Sequence, residues 1–332
     1  MQIENLNNYS MLLDSIGNVI QNSKNEINSF VSKVLINTYW EIGKHIVEYE
    51  QKGSEKAEYG SFLLTKLSKD LKVRYGKGFS RSNIALFRQF YLIFPIIQTS
   101  GLLTWSHYVE LLSISDDLER EFFFNETINQ KWSVRELRRQ KDSALFHRLA
   151  LSKDKKGVLE LARKGQIIQK NEDILKEPYI LEFLNIPENT KLSEKSFESK
   201  IISKLQDFIM ELGKGFTFVA RQFRITLANK HYYVDLVFYH RILKCFVLID
   251  LKIKGVTHYD IGQMNMYLNY FKTEENVDDD NEPLGIILAK EKDNIMVEYA
   301  LGGISNKLFV SKYQLYLPEK AVLINKLQNL LS

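Results

Sequence analysis

Asp235, Asp250 and Lys252 are the residues of this sequence whose types and spacing best suit hydrolytic chemistry. They lie in HYYVDLVFYH and, after a short polar connection, in KCFVLIDLKI. Both runs are apolar and read as strands. Side chains alternate between the faces of a strand, so Asp250 and Lys252, two apart, share one face. Asp235 interrupts the apolar run of its own strand, and a hairpin between the two runs brings it beside Asp250. A charge buried there needs a partner or a metal. Mg2+ is commonly held by one or two carboxylates, with waters and phosphate oxygens completing its shell. A neighbouring ammonium can offset charge that develops on a phosphodiester. The structural alternative makes Asp235 a buried carboxylate paired with Arg221 or Arg224, and Lys252 a strand-end lysine with its head in water.

The tripeptide Asp-x-Lys is weak on its own, since a chain of this size contains about one or more by chance. Asp70-Leu71-Lys72 and Asp154-Lys155-Lys156 repeat it here. Both fall in segments that read as helix or linker, where residues two apart do not face each other. Neither follows a strand that carries an aspartate.

The elements that must position these residues occupy the second half of the chain. Ile201, Ile202, Leu205, Phe208, Ile209 and Leu212 mark an amphipathic helix closed by Gly213. Strands FTFVARQFRITL, HYYVDLVFYH and KCFVLIDLKI follow, then a helix from about His258 to Phe271 and a strand at LGIILAK. DNIMVEYALGG reads as helix, and a last strand near YQLYL precedes a C-terminal helix. The first three strands suit an antiparallel meander, and the crossover helix suits a fourth, parallel pairing. His258 is a candidate cap for the crossover helix. The first half reads as helices. Ser80 is a candidate N-cap for RSNIALFRQFYLIF, with Ile84, Phe87, Tyr91 and Phe94 on one face and Pro95 at its end. Ser133 and Glu136 have the spacing of a capping box. A charged, Gly-punctuated stretch from about Ser152 to Asn171 is the expected domain boundary.

Composition sets the outer limits. The 332 residues suit two domains, and 45% hydrophobic residues suffice for real cores. A net charge of +4 is compatible with nucleic acid without demanding it. The one cysteine, Cys245, lies in an apolar strand and reads as a buried thiol, which leaves out disulfides and Cys-rich zinc sites. No signal-like start and no membrane-length apolar run is present, so a cytoplasmic protein without membrane contact is expected. Arg74, Lys77, Arg81 and Arg88 cluster around Ser80, and Arg135, Arg138, Arg139 and Lys141 form a second group. A helix entered through a Gly-containing turn with Arg near its start fits helix-turn-helix docking on DNA. Solvated helix faces are the alternative. Arg81, Arg88, Arg135 and Arg139 are the candidate nucleic-acid contacts.

The order α-β-β-β-α-β, with Asp on the second strand and Asp-x-Lys on the third, resembles the PD-(D/E)XK restriction-endonuclease-like superfamily. ELGKGFTFVARQ, YYVDLVFYHRILKCFVLIDLKI and GQMNMYLNYF are similar to the YhcG-type family within it. YGKGFSRSN, RQFYLIFP, TWSHYVELLSI and KWSVRELRRQ resemble that family's N-terminal helical domain. The resemblance implies a divalent-metal-dependent nuclease. Asp235 and Asp250, with the Leu251 carbonyl, would hold Mg2+ or Mn2+, and Lys252 would be the active-site lysine. Glu211 would be the acidic residue of the preceding helix, and Gln263 a helix residue facing the site. The sequence departs from the pattern in two places. Val234 stands where the superfamily motif has Pro, and Asp250 where this family more often has Glu.

The expectation is therefore a protein of mixed α+β and α/β class. An all-helical N-terminal domain, residues 1–165, binds nucleic acid or a partner. A C-terminal domain, residues 172–332, carries a restriction-endonuclease-like αβββαβ core. The expected activity is metal-dependent hydrolysis of phosphodiester bonds, with DNA as partner and, by the resemblance, a role in defence against foreign DNA. The alternatives are a DNA-binding or assembly subunit that keeps the fold but cuts weakly or not at all, and an RNA nuclease. A homodimer suits the need for two sites to cut both strands.

Overall fold

The computed structural model describes residues 2–52, 57–94, 103–151, 153–187, 190, 192–302 and 307–331. Pro95 and Ser152 lie outside them. The chain divides into two compact units, Met1–Arg139 and Gln140–Ser332. None of the helices among the described residues is long and apolar enough to cross a membrane.

The first unit is helical: α1 (Gln2–Lys52), α2 (Ala57–Tyr75), α3 (Arg81–Ile93), α4 (Trp105–Leu112), α5 (Asp117–Gln130) and the start of α6 (Val134–Asp142). Ser80 caps α3 by accepting from the Asn83 backbone N–H at 3.1 Å. Glu136 and Ser133 exchange the two bonds of a capping box ahead of α6. The buried positions of α3 are Ile84, Phe87 and Phe90, with Tyr91 and Phe94 half-buried beside them. Phe87 stacks on Tyr39 with ring centroids 4.4 Å apart, and Phe90 meets Trp105 and Tyr108.

The approach of α1 to α3 depends on Gly43, where an added Cβ would stand 2.0 Å from the Phe87 carbonyl oxygen. Alanine gains up to ~1 kcal/mol over glycine inside a helix, but forcing atoms into a packed interface costs about 1–3 kcal/mol or more. Gly43→Ala should therefore lower stability on balance, read as an earlier urea midpoint. A midpoint equal to or above that of the parent would contradict this packing.

The second unit holds α7 (Leu145–Ala150), α8 (Lys155–Lys164), β1 (Tyr179–Ile180), α9 (Glu194–Ser203), α10 (Leu205–Leu212), β2 (Phe216–Leu227), β3 (Lys230–His240), β4 (Cys245–Gly255), α11 (His258–Tyr270), β5 (Leu284–Glu291), α12 (Asn294–Leu301), β6 (Leu308–Gln314) and α13 (Lys320–Leu331). The stretch read as a linker contains α8. Asp154 caps it, Val158, Leu161 and Ala162 are buried along one face, and the charges that suggested a linker cover the other. The other two Asp-x-Lys copies fall on α2 and at the cap of α8, as helix or cap positions.

One six-stranded sheet runs in the order β1-β6-β5-β4-β3-β2. β2, β3 and β4 pair antiparallel, while β5 joins β4 in parallel and β6 joins β5 likewise. β1, only two residues long, adds parallel to β6 and was not legible in the sequence. Phe197, Ile201, Phe208 and Leu212 from α9 and α10 pack on one face against Phe238, Val247, Ile249 and Leu251. Ile261, Met264, Tyr267 and Leu268 of α11 pack on the other against Leu248 and Ile287. β4 is thus covered on both faces, which accounts for its nearly unbroken apolar run. The buried Cys245 thiol, its pKa pushed up to about 11 by burial, belongs to this interior.

Candidate active site

The β3–β4 ladder runs from the hairpin to the pair Leu236–Ile249 and stops there. The next two positions are Asp235 and Asp250. Where the backbone pairing lapses, a side chain replaces it: Asp235 Oδ2 accepts the Leu251 backbone N–H at 2.8 Å. This fixes the Asp235 carboxylate against β4 and beside Asp250. Neither Arg221 nor Arg224 pairs with Asp235. Its other oxygen accepts from Gln222 Nε2 on β2 at 2.9 Å.

Asp250 is 5% exposed. Burial, and then the neighbouring Asp235 charge, push its pKa up to about 7 against the opposing pull of Lys252. Lys252 Nζ lies 2.9 Å from Asp250 Oδ2 and 3.2 Å from Asp260 Oδ1. Burial alone would lower the lysine pKa, but the two carboxylates outweigh it and the ammonium is held charged. Asp260 is itself fixed by a capping box at the start of α11, where Thr257 is the N-cap. Its pKa is lowered because the Thr257 hydrogen bonds and the Lys252 charge together exceed the effect of burial. His258, expected as a cap, is instead the first helical residue.

Glu198 of α9 completes the group. It is 3% exposed and bound by Gln222 Nε2 at 2.7 Å. Arg221 Nε stands 3.4 Å from its Oε1, close enough for an ion pair but without hydrogen-bond geometry. Burial, then the Asp235 charge, raise its pKa. Gln263 borders the site through Tyr267, to which it donates a hydrogen bond. The Tyr267 hydroxyl donates in turn to the Tyr233 carbonyl at 3.0 Å, and burial followed by the Asp250 charge raises its pKa to about 12.

Glu211 is not part of this group. The expected single helix breaks at Lys204, and Glu211 falls on α10, wholly buried toward β1. There its Oε1 accepts from Arg148 Nη1 at 2.8 Å and from the Ile180 N–H at 2.9 Å, and Lys176 binds its carbonyl. Glu198 stands instead beside Asp235. The sequence did carry a signal for it, an acidic residue next to Phe197 on the apolar stripe of the same helical stretch. Asp260 was missed as well, although Thr257-x-x-Asp260 directly after the lysine strand has the capping-box spacing.

Glu198, Asp235, Asp250 and Asp260 set four carboxylates against Lys252 and Arg221. With all of them ionised the group has an excess of negative charge, and its donors are hard oxygens. Among the described residues no group of three or more His, Cys, Asp or Glu side chains is placed to hold a metal ion by itself. Carboxylate oxygens such as those of Asp235 and Asp250 are the donors by which Mg2+ is commonly held, one or two at a time, with waters and substrate oxygens completing the shell.

Residues 172–331 match the model of the YhcG PDDEXK nuclease domain, and residues 15–148 match the DUF1016 N-terminal domain. The chain is also 36% identical over 352 residues to the Escherichia coli (strain K12) protein described as "Putative nuclease YhcG", covering 96% of this chain and 93% of that one. This chain belongs to the YhcG family of PDDEXK nucleases. The family's nuclease domain begins at residue 172 and so takes in the whole carboxylate group from Glu198 to Asp260. Among solved structures, a repair endonuclease from Pyrococcus abyssi aligns with a TM-score of 0.26 at 18% identity, over 40% of this chain and 50% of that one. An EndoMS–dsDNA2 complex aligns with a TM-score of 0.28 at 15% identity over the same shares.

The basic candidates lie in the helical unit. Arg81 and Arg135 are exposed and Arg139 is half-buried. Arg88 is engaged differently from expectation, its Nε donating to Glu50 Oε2 at 2.7 Å. Glu50 lies 38 residues away, so no local pattern announced the pairing.

Proposed function

We propose that this protein is a metal-dependent nuclease that hydrolyses phosphodiester bonds of DNA at the Asp235–Asp250–Lys252 site. The observation that carries the reading is buried Asp250 beside half-buried Asp235, with Lys252 Nζ 2.9 Å from Asp250, held where the β3–β4 ladder opens. Asp235, Asp250 and the Leu251 carbonyl would hold Mg2+ or Mn2+. A bound ion of this kind lowers the pKa of water and stabilises charge on phosphate. Lys252 orients the phosphate or the attacking water and offsets developing negative charge. Asp260 keeps the Lys252 head in place, and the Gln263–Tyr267 pair forms the wall on the α11 side. Titration of Asp250 near pH 7 makes its ionised form, the one able to bind a cation, a function of pH. The family resemblance extends the proposal to defence against foreign DNA.

Purified protein should cut duplex DNA with Mg2+ or Mn2+ and stop when EDTA is added. Parallel reactions on single-stranded DNA and RNA define the substrate. Asp250, where the resemblance has Glu more often, favours the rival reading, a DNA-binding or assembly subunit that keeps the fold but cuts weakly or not at all. Binding of DNA without metal-dependent cleavage of any of the three substrates would establish that rival.

The helical unit contributes nucleic-acid contacts in this proposal. α3 follows a turn with Gly76 and Gly78 at positive φ, and Arg81 opens the helix. Replacing Arg81 and Arg135 by Ala should weaken DNA binding and reduce the slope of log K against log salt by about one unit for each phosphate interaction removed. Arg88→Ala should have little effect on that slope, because Glu50 already holds it. Titrations at several salt concentrations separate these outcomes, and an unchanged slope in the double variant would remove the phosphate-binding role.

A further inference from the structure

Gln222 lies in the middle of β2 with a backbone φ of +48°, in the left-handed region that residues other than glycine seldom occupy. Its neighbours keep regular pairing, Arg221 with Leu236 and Phe223 with Val234. Gln222 thus stands directly across from Asp235, in a strand that also carries a bulge between Phe218 and Ala220. Unfavourable backbone conformations persist only where their surroundings over-determine them, and they cluster at functional sites. Here the surroundings are two carboxylates. The Gln222 Nε2 donates to Glu198 Oε2 at 2.7 Å and to Asp235 Oδ1 at 2.9 Å. Both hydrogens of one amide thus hold acids from two different elements, α9 and β3.

The type of residue matters as much as its place. Two neighbouring carboxylates repel, and without a donor between them each would turn elsewhere. A lysine or arginine could bridge them too, but its charge would compete with a cation for the same oxygens. A neutral amide fixes the geometry and leaves the negative field intact. Each carboxylate oxygen it binds retains a further lone pair.

We infer that Gln222 is a positioning residue of the nuclease site, a neutral clamp that holds Glu198 and Asp235 at a fixed separation before metal and substrate arrive. This rests on the nuclease reading given above. The strained backbone supplies a way to test the clamp apart from the fold. Gln222→Gly removes the amide and also relieves the left-handed conformation, so the strain released offsets part of the stability lost with the two hydrogen bonds. Gln222→Asn tolerates the same conformation but carries an amide one methylene too short to span both acids.

The experiment uses the full chain and three readouts: thermal melting without metal, Mn2+ binding by calorimetry, and steady-state cleavage of duplex DNA. The Gly variant should remain folded at the assay temperature, with only a modest change in melting temperature. It should bind Mn2+ at least tenfold more weakly and lose at least tenfold in kcat, with KM for DNA within about twofold. The Asn variant should show the same losses. Unchanged Mn2+ affinity and kcat in the Gly variant, with an active parent, would overturn the clamp and leave the nuclease reading standing. A Gly variant that is unfolded at the assay temperature would also overturn it, by showing a structural role. A parent that neither binds Mn2+ nor cleaves would overturn the nuclease reading itself, and the clamp with it.

Discussion

Asp250→Asn should reduce metal-dependent cleavage by at least about a hundredfold, the scale seen when one group that stabilises transition-state charge is lost, and should at the same time make the metal-free protein more stable above pH 7. The second effect follows from the raised pKa of Asp250, about 7 in the folded chain against an ordinary 3.8. Between those values the unfolded chain has already released the proton that the folded chain still holds. Folding stability of the parent therefore falls as pH rises through this window and levels off above it. Asn carries no such proton and removes the fall. The gain at pH 8 should be about 1–4 kcal/mol, since each pKa unit corresponds to about 1.4 kcal/mol and Asp235 shares the titration. Urea unfolding of metal-free protein between pH 4 and 8 measures it. A folded Asn variant that cleaves like the parent would exclude Asp250 from the site, and one that unfolds would make Asp250 a structural carboxylate.

Glu211→Ala should give the largest loss of stability, about 3–5 kcal/mol, because it strands a buried guanidinium. Arg148 is 1% exposed and Glu211 fully buried, with 2.8 Å between them. The other groups that Arg148 binds include the carbonyls of Ser143 and Pro178, which are neutral and cannot replace the lost countercharge. Replacing the pair together, Arg148→Met with Glu211→Leu, should recover most of the loss, since an apolar pair removes the desolvation penalty as well as the attraction. Thermal and urea unfolding report both. If Glu211→Ala instead removed cleavage without affecting stability, Glu211 would be a site residue after all.

The contrast between these two acids shows where local sequence rules stop. Asp235, Asp250 and Lys252 could be grouped from the sequence because strand alternation and a hairpin are local rules, and the structure places them side by side. Glu198 and Glu211 both border the apolar stripe, and such rules alone do not choose between them. The apolar positions from Ile201 to Leu212 fit one continuous helix, but the chain breaks at Lys204 and Glu211 meets Ile180 and Arg148. Arg88 is a similar case, a basic surface residue by its sequence until Glu50 meets it from another helix. Gln222 left no mark in the sequence, for an amide in a half-exposed strand looks ordinary until its φ and its two partners are known.

The parallel pairing of β4 with β5 has a consequence for how the chain acquires its site. Hairpins β2–β3 and β3–β4 join neighbours in sequence and can close early, in microseconds as isolated events. A parallel neighbour cannot join until the intervening crossover has been laid down, and such non-local pairings come slowly. Asp260, which steadies Lys252, lies on that crossover. A chain with only its hairpins formed can thus bring Asp235, Asp250 and Lys252 together while Lys252 lacks its Asp260 partner. The proposed site is therefore complete only once the crossover has packed against the sheet.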